Sequence, residues 1–135
     1  MALLHSVINV AEAVGGSFPE NSFLNRLMGL AAAGKTPEEL SSFLNEDPEL
    51  EAVHGQFASQ GQSQMDENTS YHFVAYVNIE GTIWEIDGRR SQPLQKGPCT
   101  QEDFGIKVSA LLKGYTTMDD TCRFSLMALS PNQGD

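Results

Sequence analysis

The sequence has few basic residues and no long apolar run. Among its 135 residues, 8 are Lys or Arg and 18 are Asp or Glu, and the formal net charge is −10. Such a chain repels phosphate backbones and anionic lipids, so we expect no nucleic-acid or membrane partner. No segment approaches the ~20 apolar residues of a membrane span, and residues 1–16 have no basic leader. These absences predict a cytoplasmic or nuclear protein.

Cysteine and histidine are also scarce. The two cysteines, Cys99 and Cys122, are too few for a disulfide scaffold and lack the C-x-x-C spacing, so we expect reduced thiols. The other candidate metal ligands, His5, His54 and His72, match no zinc signature. We therefore expect neither a metal ion nor another cofactor.

What is present is enough for a folded chain. Apolar residues make up 40% of the sequence, with runs of Leu, Val, Ile and Phe that can bury a core. The length favours a single domain over residues 1–135. Helical periodicity dominates the first part and strand-like segments follow, which predicts an α+β fold.

Helix signals cover the first part of the chain. Apolar residues at helical intervals predict a buried helix over Met1–Val14, stopped by Gly15. This helix has no capping residue before its first turn, so we expect the chain to start inside an element. Asn21 or Ser22 can cap a second helix that ends at Gly34.

Two more helix starts and a loop follow. Thr36-Pro37-Glu38-Glu39 has the pattern of a capping box. Asp47-Pro48 repeats the cap-plus-proline pattern and starts a helix that includes Phe57. Residues Ala58 to Ser70 are polar and aperiodic, which predicts an exposed loop that acts as a mobile cover or a linker.

The periodicity then changes to that of strands. Tyr71–Asn78 and Thr82–Asp87 are rich in β-branched and aromatic residues and predict a hairpin. Arg123–Leu129 is predicted as a third strand. Between the hairpin and this strand we expect an irregular or edge segment over Ser91–Pro98, and a helix capped by Thr100 that ends at Gly114.

The hairpin brings a histidine next to an aspartate. With Glu80-Gly81 as a two-residue turn, Val74 lies opposite Asp87, and His72 lies diagonal to Asp87 on the same face. The same register predicts Glu85 and Arg89 on that polar face. The opposite, apolar face then carries Phe73, Ala75, Val77, Trp84 and Ile86. A carboxylate beside an imidazole fixes its tautomer, which is a catalytic arrangement without a nucleophile. From spacing alone, a structural contact is the more common outcome.

Two neighbouring segments carry the clearest motif, Tyr71-His72-Phe73-Val74-Ala75-Tyr76-Val77 and Trp84-Glu85-Ile86-Asp87-Gly88-Arg89. They resemble the histidine and aspartate strands of the ubiquitin C-terminal hydrolases, a family of cysteine-type deubiquitinases. Ala2-Leu3-Leu4-His5-Ser6-Val7 resembles the helix after its nucleophile, and Gln60-Gly61-Gln62 resembles the approach to its active-site crossover loop. Arg123-Phe124-Ser125-Leu126-Met127-Ala128-Leu129 resembles its late strand.

The resemblance implies that His72 is the general acid/base and Asp87 the residue that orients it. The family's catalytic cysteine and oxyanion glutamine would both fall before Met1, so neither is expected in this chain. Neither Cys99 nor Cys122 matches the position of the nucleophile, and both are expected to be ordinary thiols.

The resemblance also implies a papain-like architecture that is missing its N-terminal part, so we expect the C-terminal portion of a catalytic domain. The function implied is thiol-dependent hydrolysis after the C-terminal glycine of ubiquitin. Ubiquitin or its conjugates would be the partner, and the protein is expected to be a monomer. Without a nucleophile, the chain alone is expected to be inactive and to be a fragment. A non-catalytic, ubiquitin-binding pseudoenzyme is the alternative.

Overall fold

The computed structural model describes residues 2–60, 72–116 and 125–131. The helices in these residues are α1 Ala2–Ala13, α2 Phe23–Ala32, α3 Pro37–Glu46, α4 Pro48–Gln60 and α5 Phe104–Thr116. The strands are β1 Val74–Ile79, β2 Thr82–Asp87 and β3 Leu94–Pro98. Helices together with an antiparallel sheet confirm the predicted α+β class.

The predicted helix boundaries in the first part of the chain are largely confirmed. Gly15 has a φ of 62°, the left-handed conformation that ends α1. Ser22, not Asn21, caps α2, and its side chain accepts a bond from the main-chain N–H of Asn25. Thr36 and Glu39 form the predicted capping box at the start of α3.

The predicted loop over Ala58–Ser70 is wrong at its start. Helix α4 continues to Gln60, so residues 58–60 are helical, and residues 61–70 lie outside the described part of the chain. Small and polar residues such as Ala58, Ser59 and Gln60 carry no apolar period, yet they can extend an exposed helix that has already started.

The sheet has the order β1-β2-β3, and both strand pairs are antiparallel. Glu80 and Gly81 have φ angles of 50° and 74° and form the two-residue turn between β1 and β2. Val74 lies opposite Asp87 and Ile79 lies opposite Thr82, which confirms the predicted register. Strand β3 is an outer strand of this sheet, so the edge interpretation of Ser91–Pro98 holds for Leu94–Pro98.

The predicted strand over Arg123–Leu129 is not formed in residues 125–129, which have no regular secondary structure. The side chains of Leu126 and Met127 are 69% and 82% exposed. An alternating pattern produces a strand only where a neighbour supplies the ladder bonds and covers a face, and neither is present for these described residues. Residues 123 and 124 lie outside the description.

Helix α5 covers one face of the sheet. Ile83, Cys99 and Val108 form the buried cluster between them, and partly buried hydrophobic residues surround it. Thr100 and Asp103 exchange hydrogen bonds in the turn just before α5, as the predicted cap requires. The helix itself begins at Phe104 and continues past the predicted end at Gly114 to Thr116.

The first helix packs against β1. The side-chain amide of Asn9 donates to the main-chain O of Asn78 at 2.6 Å and accepts from the main-chain N of Asn78 at 3.1 Å. Contrary to the prediction of a buried helix, α1 contains no buried residue, and Leu3 is 60% exposed. The reason is that β1 covers only one side of α1 among the described residues.

The predicted apolar face of the hairpin is covered only in part. Ala75 and Val77 are buried, but Phe73 lies before the start of β1 and is 76% exposed. Alternation places Ala75 and Val77 on one face, but the opposite face, predicted to be polar, is not only polar: Ile83 of that face is 2% exposed and lies in the buried cluster beneath α5.

The chain divides into two compact units. Unit 1 comprises Met1–Gly16 and Tyr71–Asp135, and it contains α1, the sheet and α5. Unit 2 is Ser17–Ser70 and contains α2, α3 and α4. In unit 2, Arg26 pairs with Asp47 at 2.7 Å, and the Asp47 side chain caps α4. No helix in the described residues has the length and apolar character needed to cross a bilayer.

Candidate active site

The structure brings His72 and Asp87 together, as the hairpin register predicts. His72 lies just before β1, Asp87 is the last residue of β2, and Nε2 of His72 is 2.8 Å from Oδ1 of Asp87. The two side chains are 31% and 12% exposed. With Nε2 directed at the carboxylate, Nδ1 is the ring nitrogen available for proton transfer to a reacting group.

The Asp87 carboxylate is held by several donors. The main-chain N–H of Arg89 donates to Oδ1 at 2.8 Å, and the Nε of Arg90 lies 3.6 Å from Oδ2. The Arg89 N–H and the contact with His72 hold the pKa of Asp87 below its usual value, with a smaller contribution from the Arg90 charge. Asp87 is therefore ionised at neutral pH and can stabilise a protonated imidazole.

A cleft of about 410 Å³ opens beside His72. Its lining residues come from the N-terminal end of α1, from the segment just before β1 and from the end of β2 and the residues after it. They are Ala2, His5, His72, Phe73, Ile86, Gly88 and Arg89. Burial lowers the pKa of His5, which favours its neutral form. The first turn of α1, where main-chain N–H groups favour negative charge, thus borders the same cleft as the imidazole.

Glu85 lies on the same face as Asp87 and is the centre of a buried polar network. Its Oε2 accepts from the Tyr76 hydroxyl at 2.7 Å and from the Tyr115 hydroxyl at 3.4 Å, and it pairs with Nζ of Lys96 at 2.9 Å. Its Oε1 lies 3.7 Å from Nε of Arg90. Burial by itself raises the pKa of Glu85, but the Tyr76 hydroxyl and the Lys96 ammonium outweigh it, and the pKa is lowered.

Cys99, the cysteine within the described residues, lacks the properties of a nucleophile. Cys99 is 8% exposed and belongs to the core beneath α5, and burial together with the charge of Asp103 raises the pKa of its thiol. It is not among the residues that line the cleft. Tyr71, Cys122 and residues 61 and 62 lie outside the described residues.

The histidines are not gathered into a metal site. His5 and His72 border the cleft, whereas His54 is exposed on α4 in unit 2. Across residues 2–60, 72–116 and 125–131, no group of three His, Cys, Asp or Glu side chains could hold a metal ion.

Comparison with known proteins identifies the family. The sequence signature described as ubiquitin carboxyl-terminal hydrolase, family 1, matches residues 1–116. The chain belongs to this ubiquitin carboxyl-terminal hydrolase family. A ubiquitin carboxyl-terminal hydrolase of Drosophila melanogaster is 34% identical over 136 residues, which cover 98% of this chain and 58% of the relative.

Two further relatives with the same family name are also similar to the chain. A probable ubiquitin carboxyl-terminal hydrolase of Dictyostelium discoideum is 32% identical over 98% of this chain and 53% of its own length. The human isozyme L1 is 25% identical over 96% of this chain and 57% of its own length. The chain thus spans between 53% and 58% of the length of these relatives.

Sequence reasoning found the pair but missed part of its surroundings. It placed Arg89 on the polar face but missed Arg90, whose guanidinium contacts the carboxylates of Asp87 and Glu85. It also missed Lys96 and Tyr115, which lie on β3 and α5. Only the position of Glu85, two residues before Asp87 and therefore on the same face, gave a signal.

Proposed function

We propose that this chain supplies the acid/base part of a thiol-dependent ubiquitin hydrolase with a papain-like architecture. The observation that carries the proposal is the 2.8 Å contact between His72 and Asp87 at a cleft bordered by the start of α1. Family membership supports ubiquitin or its conjugates as the substrate.

In the proposed reaction, His72 acts as general acid/base and Asp87 orients it. A cysteine thiolate at the start of α1 attacks the carbonyl carbon of ubiquitin's terminal glycine, after its proton has passed to His72. His72 then protonates the leaving amine as the carbon–nitrogen bond breaks, which leaves a thioester. A water molecule deprotonated by His72 hydrolyses the thioester and restores the thiol.

The position of the helix end supports this assignment. An N-terminal helix end and an adjacent imidazolium both lower the pKa of a thiol and so favour the thiolate. Ala2 and His5, from the first two turns of α1, line the cleft together with His72. A thiol at the residues just ahead of Ala2 would therefore meet both influences.

We further propose that the 135-residue chain alone does not turn over. The resemblance assigns the nucleophile to residues before Met1, and Cys99 is buried and has a raised pKa. The chain is therefore expected to release no fluorophore from a ubiquitin C-terminal amide, and to form no adduct with a ubiquitin probe. Turnover that depends on His72 would contradict this proposal.

A ubiquitin-binding pseudoenzyme is the second candidate, and the burial of Cys99 favours it, because the described cleft contains no thiol. In this case the cleft would hold the C-terminal tail of ubiquitin without cleaving it. The net charge of −10 suits a partner with a basic tail.

One experiment separates the two functions. The protein is captured from the cells that make it with an antibody against residues 119–135, and its intact mass and its ubiquitin–fluorophore hydrolysis are measured. A species heavier than 14.7 kDa with activity supports the hydrolase. A 14.7 kDa species that binds ubiquitin without turnover supports the pseudoenzyme. A heavier species without activity contradicts the hydrolase.

The matched variants are His72→Gln and His54→Gln, introduced into the gene. His54 is exposed on α4 in unit 2 and is not among the residues that line the cleft. We expect His72→Gln to abolish turnover and His54→Gln to leave it unchanged. Equal loss in both variants would contradict the role of His72.

A further inference from the structure

We propose that Glu85 and Arg90 are positioning residues that fix the rotation of the Asp87 carboxylate and so direct one of its two equivalent oxygens at His72. The inference rests on the proposed function, because it assigns these residues to the geometry of its acid/base pair. Their effect passes through the Asp87 carboxylate, because Nε of Arg90 lies 3.6 Å from Oδ2 of Asp87 and 3.7 Å from Oε1 of Glu85.

The two oxygens of Asp87 have different partners. Oδ1 accepts from the main-chain N–H of Arg89 and faces Nε2 of His72, both at 2.8 Å. Oδ2 faces Nε of Arg90 at 3.6 Å. The terminal torsion of an aspartate is broad and roughly two-fold, so a partner on each oxygen restricts the rotation of the carboxylate.

Arg90 needs an anchor to serve as that partner. Its side chain is 50% exposed, and a long exposed side chain otherwise samples many rotamers. Its main-chain N–H donates to the main-chain O of Asp87 at 3.0 Å, which fixes the backbone of the turn. Oε1 of Glu85, 3.7 Å from Nε, holds the guanidinium between the two carboxylates.

Glu85 is itself held by three elements. Its side chain is 5% exposed. Oε2 accepts hydrogen bonds from the hydroxyls of Tyr76 on β1 and Tyr115 on α5, and it pairs with the ammonium of Lys96 on β3. These partners occupy Oε2 and leave Oε1 directed at Arg90. The position of Arg90, and through it that of Asp87, therefore depends on the packing of α5 and β3 on the sheet.

A spectroscopic test reports this geometry without any turnover. Long-range proton–nitrogen correlation on the 135-residue chain measures the ratio of the Nε2–H to the Nδ1–H tautomer in neutral His72. The bond to Asp87 favours Nε2–H. In Arg90→Gln and in Glu85→Gln we expect this ratio to fall about two- to fivefold, the range of an exposed ion pair.

The opposite result would overturn the inference. If Arg90 acted through its charge alone, its removal would make Asp87 a stronger acceptor, and the ratio would stay or rise in Arg90→Gln. Since both residues act along one path, the double variant should lose no more than the larger single variant, and additive losses would contradict the path.

Two control variants and one fallback keep the test decisive. Lys107→Gln removes another cation of unit 1, one that pairs with Asp103 at 2.8 Å, and should leave the ratio unchanged. Arg90→Lys keeps the charge and should restore part of the ratio. If Glu85→Gln fails to fold, Arg90→Gln still decides, because the half-exposed Arg90 side chain is outside the core.

Activity distinguishes this inference from the proposed function. In protein captured from cells, Arg90→Gln should lower kcat with little change in KM. A fall in the tautomer ratio without turnover in any form would uphold the positioning and contradict the hydrolase. Turnover with an unchanged ratio would contradict the positioning alone.

Discussion

Different kinds of contact stabilise the interior of unit 1 and the interior of unit 2. In unit 1 the buried residues come from segments far apart in sequence, and examples are Ile83 of β2 and Val108 of α5. In unit 2 the buried residues of the described part are Leu27 and Asp47, and helix caps and short-range pairs account for many of the contacts. The Arg26–Asp47 pair also joins two parts of this unit across 21 positions. Unit 2 is thus a set of capped helices joined by a few side-chain pairs, whereas unit 1 encloses a hydrophobic cluster between its sheet and a helix.

The difference shows where a precise site can be built. His72 and Asp87 are 15 positions apart, yet their Nε2 and Oδ1 atoms lie 2.8 Å apart because the register of the hairpin fixes them. Locally stabilised helices open at low free energy, whereas a packed sheet holds its side chains in place. The candidate chemistry therefore belongs to the unit that contains the packed sheet.

The largest effect is expected from Asp87→Asn in protein captured from cells. An asparagine cannot stabilise the imidazolium and favours the wrong tautomer, so ubiquitin hydrolysis should fall roughly 10²- to 10⁴-fold. Steady-state kinetics with a ubiquitin–fluorophore substrate measures it. Glu39→Gln, which also replaces a carboxylate by its amide but at an exposed site of unit 2, should leave the rate unaltered. A comparable loss of activity in both variants would contradict the assignment of the chemistry to unit 1.

Ile83→Ala should destabilise unit 1 by about 2–5 kcal/mol, since it leaves a cavity at a side chain that is 2% exposed. Native-state hydrogen exchange reports the opening of each unit separately. Leu27→Ala is the control in unit 2, where the side chain is 7% exposed. We expect each variant to lower protection in its own unit, and equal losses in both units would mean that they unfold as one.

Asp47→Ala should cost unit 2 about 1–2 kcal/mol. The Asp47 carboxylate accepts from the main-chain N–H groups of Glu49 and Leu50, and it pairs with Arg26. Glu49→Ala removes only the exposed partner of the same guanidinium, so its cost should stay below about 1 kcal/mol. The helical signal at 222 nm during urea unfolding measures both, and equal costs would exclude the cap as the cause.

The smallest effect on stability is expected from a change of pH. The pKa of Glu85 is lower in the folded chain than its ordinary value, so its stabilisation is complete above that ordinary value. It is lost as the pH falls through the lowered value. Exchange protection of unit 1 should therefore decrease in acid, and Glu85→Gln should flatten this dependence.

Glu39 is the reference for the pH test. Its hydrogen bond with Lys35 is the largest of the effects that lower its pKa, and both side chains are about half exposed. Glu39→Gln should leave the acid dependence of unit 1 unchanged. If it alters that dependence as much as Glu85→Gln does, the buried network is not its source.

The parts of the fold that were predictable follow local or strictly periodic rules. Thr36 and Glu39 are three residues apart, and the capping box needs nothing else. The hairpin register follows from a two-residue turn and from alternation, and this was sufficient to bring His72 to Asp87. The candidate pair was therefore within reach of the sequence.

The surroundings of the pair were not predictable in the same way. Lys96 and Tyr115 are 11 and 30 positions from Glu85, on a different strand and a helix, and no periodicity connects them. The extent of burial on α1 and the pairing of residues 125–129 also depend on which distant element covers a face. Such decisions belong to tertiary packing, which overrides local propensity.

The amide of Asn9 has a consequence for association between molecules. β1 is an outer strand of the described sheet, and its outward N–H and C=O groups offer a template on which another chain could add as a strand. At Asn78 both groups are already bound by the carboxamide of Asn9, at 3.1 and 2.6 Å. A side chain of the first helix thus completes the ladder at this position and blocks growth of the sheet from the turn end.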